Sequence, residues 1–231
     1  MTVTPRQARA VAALKSGDGG DPSLPIAGWA GVRLGRLVAV GPAVAGSEVV
    51  VRALCRWREE NRDWFLSVVP PDPDRTRAYL ANKATPEPDR ILFLIEDEEG
   101  RLVGHAGLRG ICATGAELDN VLRGEPVEGV GFMVAAVGVL LGWAFSALEV
   151  PSIHLAVLAH NTRAIRTYGR LGFRPTERRP LWRRPVEGGY RLVPDEAPEG
   201  EPTDLWLSRM QLDPGTFHAL RPGAAGPRSA G

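Results

Sequence analysis

The stretch AVLAHNTRAIRTYGRLGF, residues 156–173, decides the fold because it holds the end of one strand and a whole helix. The apolar run Ile153–Leu158 predicts the strand. Asn161 is a favourable N-cap residue and Gly172 is a common helix stop, so a helix is predicted over Asn161–Leu171. A strand followed this closely by a helix indicates part of a β-α-β crossover.

The segment before this strand is strongly apolar. Val130–Leu148 has no charged residue over nineteen positions, which is long enough to span a membrane. Gly138 and Gly142 also form a G-x-x-x-G pair, which packs helices in membranes. Glu128 and Glu149 bracket the segment, and no basic cluster flanks it to set a membrane orientation. The pattern favours a helix buried in a soluble domain, and the membrane-anchored alternative rests on this segment alone.

The rest of the chain alternates between predicted strands and helices. Ile91–Ile95 and Leu102–Leu108 are apolar runs joined by Glu98-Glu99-Gly100, a pattern typical of a β-hairpin. Hairpins followed by a β-α-β crossover predict an α/β fold class, with a central mixed, mostly antiparallel sheet and helices on both faces. The other predicted strands are Val32–Val40, Ala116–Leu122 and Asp204–Leu212, with further strand in Arg174–Val193, and the other helices are Ser47–Trp64 and Asp74–Lys83, the latter with Asp72 or Asp74 as N-cap.

The two ends of the chain differ in composition from its middle. Residues 1–28 are rich in Ala, Gly, Ser, Asp and Pro and are expected to form a flexible extension. Within them, Thr4–Lys15 has the pattern of a short helix and Gly17–Pro25 that of a linker. Residues 29–213 are predicted to form the folded domain, and residues 214–231 a flexible tail.

Composition bounds the possible functions. The chain has 231 residues, a formal net charge of +1 and 44% hydrophobic residues. That hydrophobic fraction can fill a core, and the near-neutral charge argues against binding nucleic acid by bulk phosphate neutralisation. Cys55 and Cys112 are too few for a disulfide framework, and no His, Cys and carboxylate set has metal-ligand spacing. No apolar signal segment occupies residues 1–20, so we expect a cytoplasmic protein.

The helix predicted over Asn161–Leu171 carries a recognisable motif. Asn161, Ala164, Tyr168, Gly172 and Phe173 stand at the spacing of the second half of the GNAT N-acetyltransferase core, which this stretch resembles. Ala164 and Tyr168 are four residues apart and share one helix face. The resemblance implies an acetyl-CoA-dependent acetyltransferase with the GNAT fold.

The resemblance extends over about Gly31–Leu212. The predicted hairpin and the strand Ala116–Leu122 fall where the central strands of the family lie. The run Trp57–Arg62, followed by Trp64 and Phe65, is similar to the first-helix region of the subgroup that acetylates amino sugars and similar metabolites.

The resemblance also implies where the pyrophosphate of acetyl-CoA binds. It would lie at the N-terminus of the long apolar helix, where backbone N–H groups and the helix dipole favour an anion. The matching loop is Glu128–Met133, in which Gly129 and Gly131 fit a tight loop that approaches the phosphate closely. Glu128 and Met133 depart from the family pattern, which places cofactor affinity in question, and Arg123 could supply the missing positive charge.

The pantetheine arm would bond to the backbone of the strand Leu118–Leu122. A backbone N–H of this strand, that of Val121 or Leu122, would stabilise the oxyanion of the tetrahedral intermediate. Asn161 would hold the cofactor near the thioester. The cofactor-binding residues that the resemblance implies are Leu122, Arg123, Gly129, Val130, Gly131, Phe132, Met133, Asn161 and Ala164.

Acid–base chemistry is assigned by the same resemblance. Tyr168 would protonate the departing CoA thiolate as general acid. Three residues are candidates for the base. Glu117 and Asp119 share one face of their strand, and His105 lies on the preceding strand and has an ordinary pKa of about 6.5.

The sequence predicts direct transfer of an acetyl group to the amine of a small metabolite. Amino sugars, nucleotide-linked amino sugars and natural-product intermediates are candidate acceptors. The alternatives are a protein or peptide N-acetyltransferase and a non-catalytic module that binds an acyl-CoA or a partner. The basic run Arg178, Arg179, Arg183 and Arg184 could recognise an anionic acceptor or form a solvated face, and a homodimer could form through a strand edge at Asp204–Leu212.

Overall fold

The structure, a computed structural model, describes residues 2–17, 21–28, 31–127, 131–194 and 200–220. The strands in these ranges are β1 (Ser23–Ala27), β2 (Arg33–Ala39), β3 (Ser67–Val68), β4 (Ile91–Asp97), β5 (Leu102–Cys112), β6 (Gly115–Arg123), β7 (Ile153–Leu158), β8 (Arg174–Val186), β9 (Gly189–Pro194) and β10 (Glu201–Leu212). The α-helices are α1 (Pro5–Ser16), α2 (Pro42–Ala45), α3 (Glu48–Glu60), α4 (Pro73–Tyr79), α5 (Phe132–Ala147), α6 (Thr162–Leu171) and α7 (Pro214–Ala219).

These strands form one open sheet in the order β1-β2-β4-β5-β6-β7-β10-β8-β9-β3. Among the strand pairs of the described ranges, β6–β7 is parallel and the others are antiparallel. The β4–β5 pair is the predicted hairpin. The predicted α/β fold class, with its mixed and mostly antiparallel sheet, is therefore confirmed.

Helices cover both faces of the sheet, and β4 shows why. All of Ile91–Ile95 is buried, because successive side chains point to opposite faces and each face carries a core. Ile91, Phe93 and Ile95 pack in the cluster that includes α5. Leu92 and Leu94 pack in a second cluster, which includes α3 and the end of α4.

The helix predictions hold, with differences at the ends. Asp72 is the N-cap of α4 and accepts a hydrogen bond from the Arg75 N–H, as predicted. The helix predicted over Ser47–Trp64 ends earlier, because α3 stops at Glu60 and a 3-10 turn follows over Arg62–Trp64. Within the described ranges, no helix is both long enough and apolar enough to cross a bilayer.

Flexible segments were expected over 1–28 and 214–231, but the described parts of both, 2–17, 21–28 and 214–220, contain packed secondary structure, while residues 221–231 lie outside the described residues. Where a linker was predicted over Gly17–Pro25, β1 begins at Ser23 and pairs with β2, and its Ile26 is fully buried. Helix α1 is fixed by Gln7, whose side-chain amide donates to the carbonyls of Cys112 and Leu148. The described part of the C-terminal segment is α7, which buries Phe217.

The strand β10 is interior to the sheet. It pairs with β7 on one side and with β8 on the other. The expectation that Asp204–Leu212 offers a free edge for a dimer is therefore wrong, since both edges of β10 carry hydrogen-bonded neighbours. A homodimer by another surface stays a prediction.

Candidate functional site

A cleft opens where β6 and β7 part. Their parallel register consists of Ala116↔Ile153 and Glu117↔His154, and both strands then continue without pairing to each other. The cleft between them has a volume of about 570 Å³, within the range of small-molecule sites. Ten of the thirteen predicted site residues line it, namely Glu117, Asp119, Leu122, Arg123, Gly131, Phe132, Met133, Asn161, Ala164 and Tyr168.

The N-terminus of α5 forms one end of the cleft. Gly131 is the N-cap residue in a left-handed conformation with φ +93°, and a Cβ there would meet nothing within 4 Å. The first turn of α5 has no acidic residue. The predicted loop residues Glu128, Gly129 and Val130 lie outside the described residues. What the structure describes of this end therefore suits an anion, since helix N-termini attract negative charge.

Helix α6 lines the side of the cleft with its predicted motif. The Asn161 side chain accepts a hydrogen bond from the Ala164 N–H at 3.1 Å, as an N-cap does. Gly172 ends the helix with φ +100°. Ala164 and Tyr168 are four residues apart on one face of this helix, and both line the cleft.

Tyr168 presents a protonated phenol to the cleft. Its side chain is packed against Phe173, with ring centroids 5.9 Å apart. Burial, together with the negative charge of Asp119, raises the pKa of Tyr168 to about 12. No described residue accepts a hydrogen bond from its hydroxyl, so the proton is available to a ligand.

The two carboxylates of β6 lie in different surroundings. Glu117 accepts a hydrogen bond from the Arg109 guanidinium at 2.6 Å. Asp119 is 3.5 Å from Arg90 and 3.7 Å from Arg109, and burial raises the pKa of its carboxyl although both arginines lower it. Asp119 is therefore a stronger base than an ordinary aspartate, while Glu117 is engaged in a short ion pair.

A bulge interrupts β6 next to Asp119. The register with β5 passes from Gly107↔Asp119 to His105↔Leu122, so two residues of β6 face one residue of β5. Asn120 takes up the extra length with φ +52°, a left-handed conformation that Asn tolerates better than most residues. Bulges bend the strand locally and are over-represented next to active sites.

His105 does not line the cleft. Its side chain is 7% exposed, and its Nδ1 lies 2.6 Å from the carbonyl oxygen of Asn120. Burial lowers the pKa of His105 to about 4; the bond to Asn120 raises this pKa and the charge of Arg58 lowers it. The structure therefore brings Tyr168 and the two β6 carboxylates together, and holds His105 behind the wall of the cleft.

The cleft is also lined by residues that do not belong to the predicted motif. Trp64 and His160, whose ring centroids are 5.5 Å apart, line the cleft together with Phe65. Arg109 also lines the cleft. The sequence carries a signal for the aromatic pair Trp64-Phe65, but the partners of Arg109 depend on strand register and cannot be read from spacing.

The predicted basic run lies outside the cleft. Arg178, Arg179, Arg183 and Arg184 are on β8 and are not among the residues that line the cleft. Arg178 and Arg183 lie over the rings of Trp206 and Tyr190. Within the described ranges, no group of three or more His, Cys, Asp or Glu residues could hold a metal ion.

Solved structures share this architecture. A spermidine N-acetyltransferase from Vibrio cholerae, in complex with CoA and spermine, aligns with a TM-score of 0.56 and 18% identity, covering 74% of this chain and 94% of that one. A protein described as a probable acetyltransferase of the GNAT family from Chromobacterium violaceum aligns with a TM-score of 0.59 and 16% identity, covering 84% and 88%. At these identities the likeness shows a common fold, that of the acetyltransferases.

The sequence itself settles the family. The model of the acetyltransferase (GNAT) domain matches residues 48–174, which is more than half of the chain. No curated protein matches the chain in sequence. The chain belongs to the GNAT family of acetyltransferases, and the family, fold and enzyme class predicted from the motif are confirmed.

Proposed function

We propose that this protein transfers an acetyl group from acetyl-CoA to the amine of a small metabolite, by direct attack within a ternary complex. The observation that carries the proposal is the convergence of three features on one cleft. These are the unpaired edge of β6, the N-terminus of α5, and the pair of Tyr168 and Asp119.

Acetyl-CoA fits the cleft by its chemistry. Its pyrophosphate is an anion suited to the helix N-terminus at Gly131, and Arg123 at the end of β6 adds a positive charge. The pantetheine chain carries amides that can pair with a free strand edge as an added strand would. The edge of β6 beyond Glu117, which faces the cleft, is of that kind.

The attacking amine must lose a proton, and Asp119 is the base we propose. Its raised pKa makes it more basic than an ordinary aspartate, whereas the Glu117 carboxylate is bonded to Arg109. The amine nitrogen forms a bond to the acetyl carbonyl carbon and loses its proton to Asp119, either directly or through a water molecule. Collapse of the tetrahedral intermediate breaks the carbon–sulfur bond.

Tyr168 then donates its proton to the departing thiolate. A phenol with a pKa of about 12 is fully protonated at neutral pH and is reprotonated readily after each turnover. The products are the acetylated amine and CoA. A small amine is favoured because the two carboxylates and the aromatic pair Trp64 and His160 bound a limited space.

Calorimetric titration with acetyl-CoA, CoA and a longer acyl-CoA tests the first step. Micromolar binding of acetyl-CoA supports the proposal, and absence of binding to all three refutes it in favour of a partner-binding module. An acceptor screen that follows release of the CoA thiol should include polyamines, amino sugars and short peptides. A peptide preference would replace the small-metabolite assignment.

Two tyrosine variants make the screen specific. Tyr168→Phe removes the proposed acid and should lower kcat by at least about 10²-fold with little change in acetyl-CoA affinity. Tyr190→Phe is the matched control, because Tyr190 lies on β9 and is not among the residues that line the cleft. Equal activity of the two variants would remove Tyr168 from the mechanism.

A further inference from the structure

The bulge in β6 is held from both sides by side chains. On one side, the Asn120 carbonyl oxygen lies 2.6 Å from His105 Nδ1. Because a carbonyl only accepts, Nδ1 must carry the proton and donate it. On the other side, the Asn120 amide donates to Asp119 at 2.9 Å and to the Tyr79 hydroxyl at 3.2 Å.

These hydrogen bonds matter because the left-handed conformation of Asn120 is unfavourable in isolation. A non-glycine residue at φ +52° costs about 1 kcal/mol or more and persists only where its surroundings impose it. The bond from His105 fixes the orientation of the peptide that joins Asn120 to Val121. That peptide contains the N–H of Val121 and directly precedes Leu122, which lines the cleft.

His105 is itself held in place. The indole ring of Trp57 packs on it with centroids 6.1 Å apart, and Trp57 donates from Nε1 to Glu125 at 2.7 Å. Gly124 lies so close to Trp57 that a Cβ there would be 2.0 Å from the indole. The imidazole therefore lies against an indole that is itself held in place at the end of β6 by Glu125 and Gly124.

We propose that His105 is a positioning residue for acyl transfer, which holds the Asn120 bulge by its Nδ1–H bond and so aims backbone N–H groups of β6 at the thioester oxygen. The proposal rests on the proposed function and goes beyond it, since His105 takes no part in proton transfer. It predicts that the geometry of the donor, rather than its acid strength, determines activity.

Two amide substitutions separate the effect of donor geometry from that of acid strength. His105→Asn places an amide N–H close to the position of Nδ1, whereas His105→Gln carries the same amide one methylene further, near the position of Nε2. We expect the Asn variant to keep kcat within about threefold and the Gln variant to lose at least about tenfold, because misplaced oxyanion donors are costly. The KM for acetyl-CoA should change little in either. Ile111→Val, a buried change on the same strand, controls for lost packing.

A second readout does not need turnover. Infrared spectra of bound acetyl-CoA labelled with carbon-13 at the thioester carbonyl report its polarisation by hydrogen-bond donors. We expect the carbonyl band to move to lower frequency in the wild type and the Asn variant, and to stay near its solution value in the Gln variant. Nitrogen NMR of the wild type should show the Nδ1–H tautomer of His105, which tests the bond even if the Gln variant does not fold.

The outcomes are distinguishable. Equal kcat and equal carbonyl frequency in the Asn and Gln variants, or an Nε2–H tautomer in the wild type, overturn the role of His105 and leave the proposed function standing. A wild type that neither shifts the carbonyl band nor acetylates any amine overturns the proposed function itself, and the inference about His105 with it.

Discussion

Acidification should destabilise this protein through His105. Burial lowers the pKa of His105 to about 4 in the folded protein, against an ordinary value of 6.5 in the unfolded chain. Below pH 6.5 the unfolded chain therefore takes up a proton that the folded protein does not. The contribution is fully present above pH 6.5 and is lost as the pH falls toward 4.

The magnitude follows from the difference between these two pKa values. At about 1.4 kcal/mol for each pKa unit, the free energy of unfolding should fall by about 3 kcal/mol between pH 7 and pH 4 because of this residue. That is a substantial part of the 5–15 kcal/mol, roughly, by which domains are stable. The raised pKa of Asp119 acts in the opposite direction, because the folded protein binds that proton more readily than the unfolded chain.

The assay is urea unfolding from pH 8 to pH 4 of the wild type and of His105→Asn. The variant retains a donor to Asn120 but has no titrating group, so Asp119 and the exposed histidines contribute equally to both proteins. We expect the wild type to lose about 3 kcal/mol more than the variant over this range. Parallel curves would refute the reasoning, since they would mean that His105 titrates alike in the folded and unfolded states.

Three further substitutions test the site and its frame. Asp119→Asn should lower kcat by about 10²-fold and abolish the rise of kcat/KM with pH, and an unchanged pH profile would assign the base to another group. Gly124→Ala should cost about 1–3 kcal/mol in urea unfolding because its Cβ meets the Trp57 indole, whereas Gly46→Ala, where a Cβ meets nothing within 4 Å, should be harmless. Asn161→Ala should cost about 1 kcal/mol through the lost N-cap, and a smaller loss in melting experiments would show that water replaces the cap.

The local features of this fold could be predicted because each is determined within a few residues. Asn161 and Gly172 set the ends of α6, and the turn at Glu98–Gly100 sets the β4–β5 hairpin. The motif on α6 also identified the family, since its spacing places Ala164 and Tyr168 on one face. These predictions depend on helix and turn geometry and need no knowledge of distant partners.

Long-range pairing is what the sequence did not disclose. Ser23–Ala27 resembles a linker in composition because it contains Pro25, yet an edge strand tolerates proline where the missing N–H faces outward. The position of β10 between β7 and β8 likewise depends on the order of strands in space. Hydrophobic periodicity says which residues are buried but not which strand lies beside which.

The bulge in β6 shows, within the candidate site, both what the sequence predicts and what it does not. Strict alternation would place Ala116, Leu118 and Asn120 on the same face of the strand. In the structure Ala116 and Leu118 pack in the main core together with Val121, so the alternation changes phase at Asn120. The stretch before the bulge therefore follows the alternation of the sequence, and Glu117 and Asp119 share a face as predicted.

The stretch after the bulge, which includes Leu122, does not follow that alternation, because one inserted residue reverses the side on which each later side chain lies. The contacts of Asn120 with His105, Asp119 and Tyr79 show why the strand bends there, and these contacts join residues that are distant in the sequence.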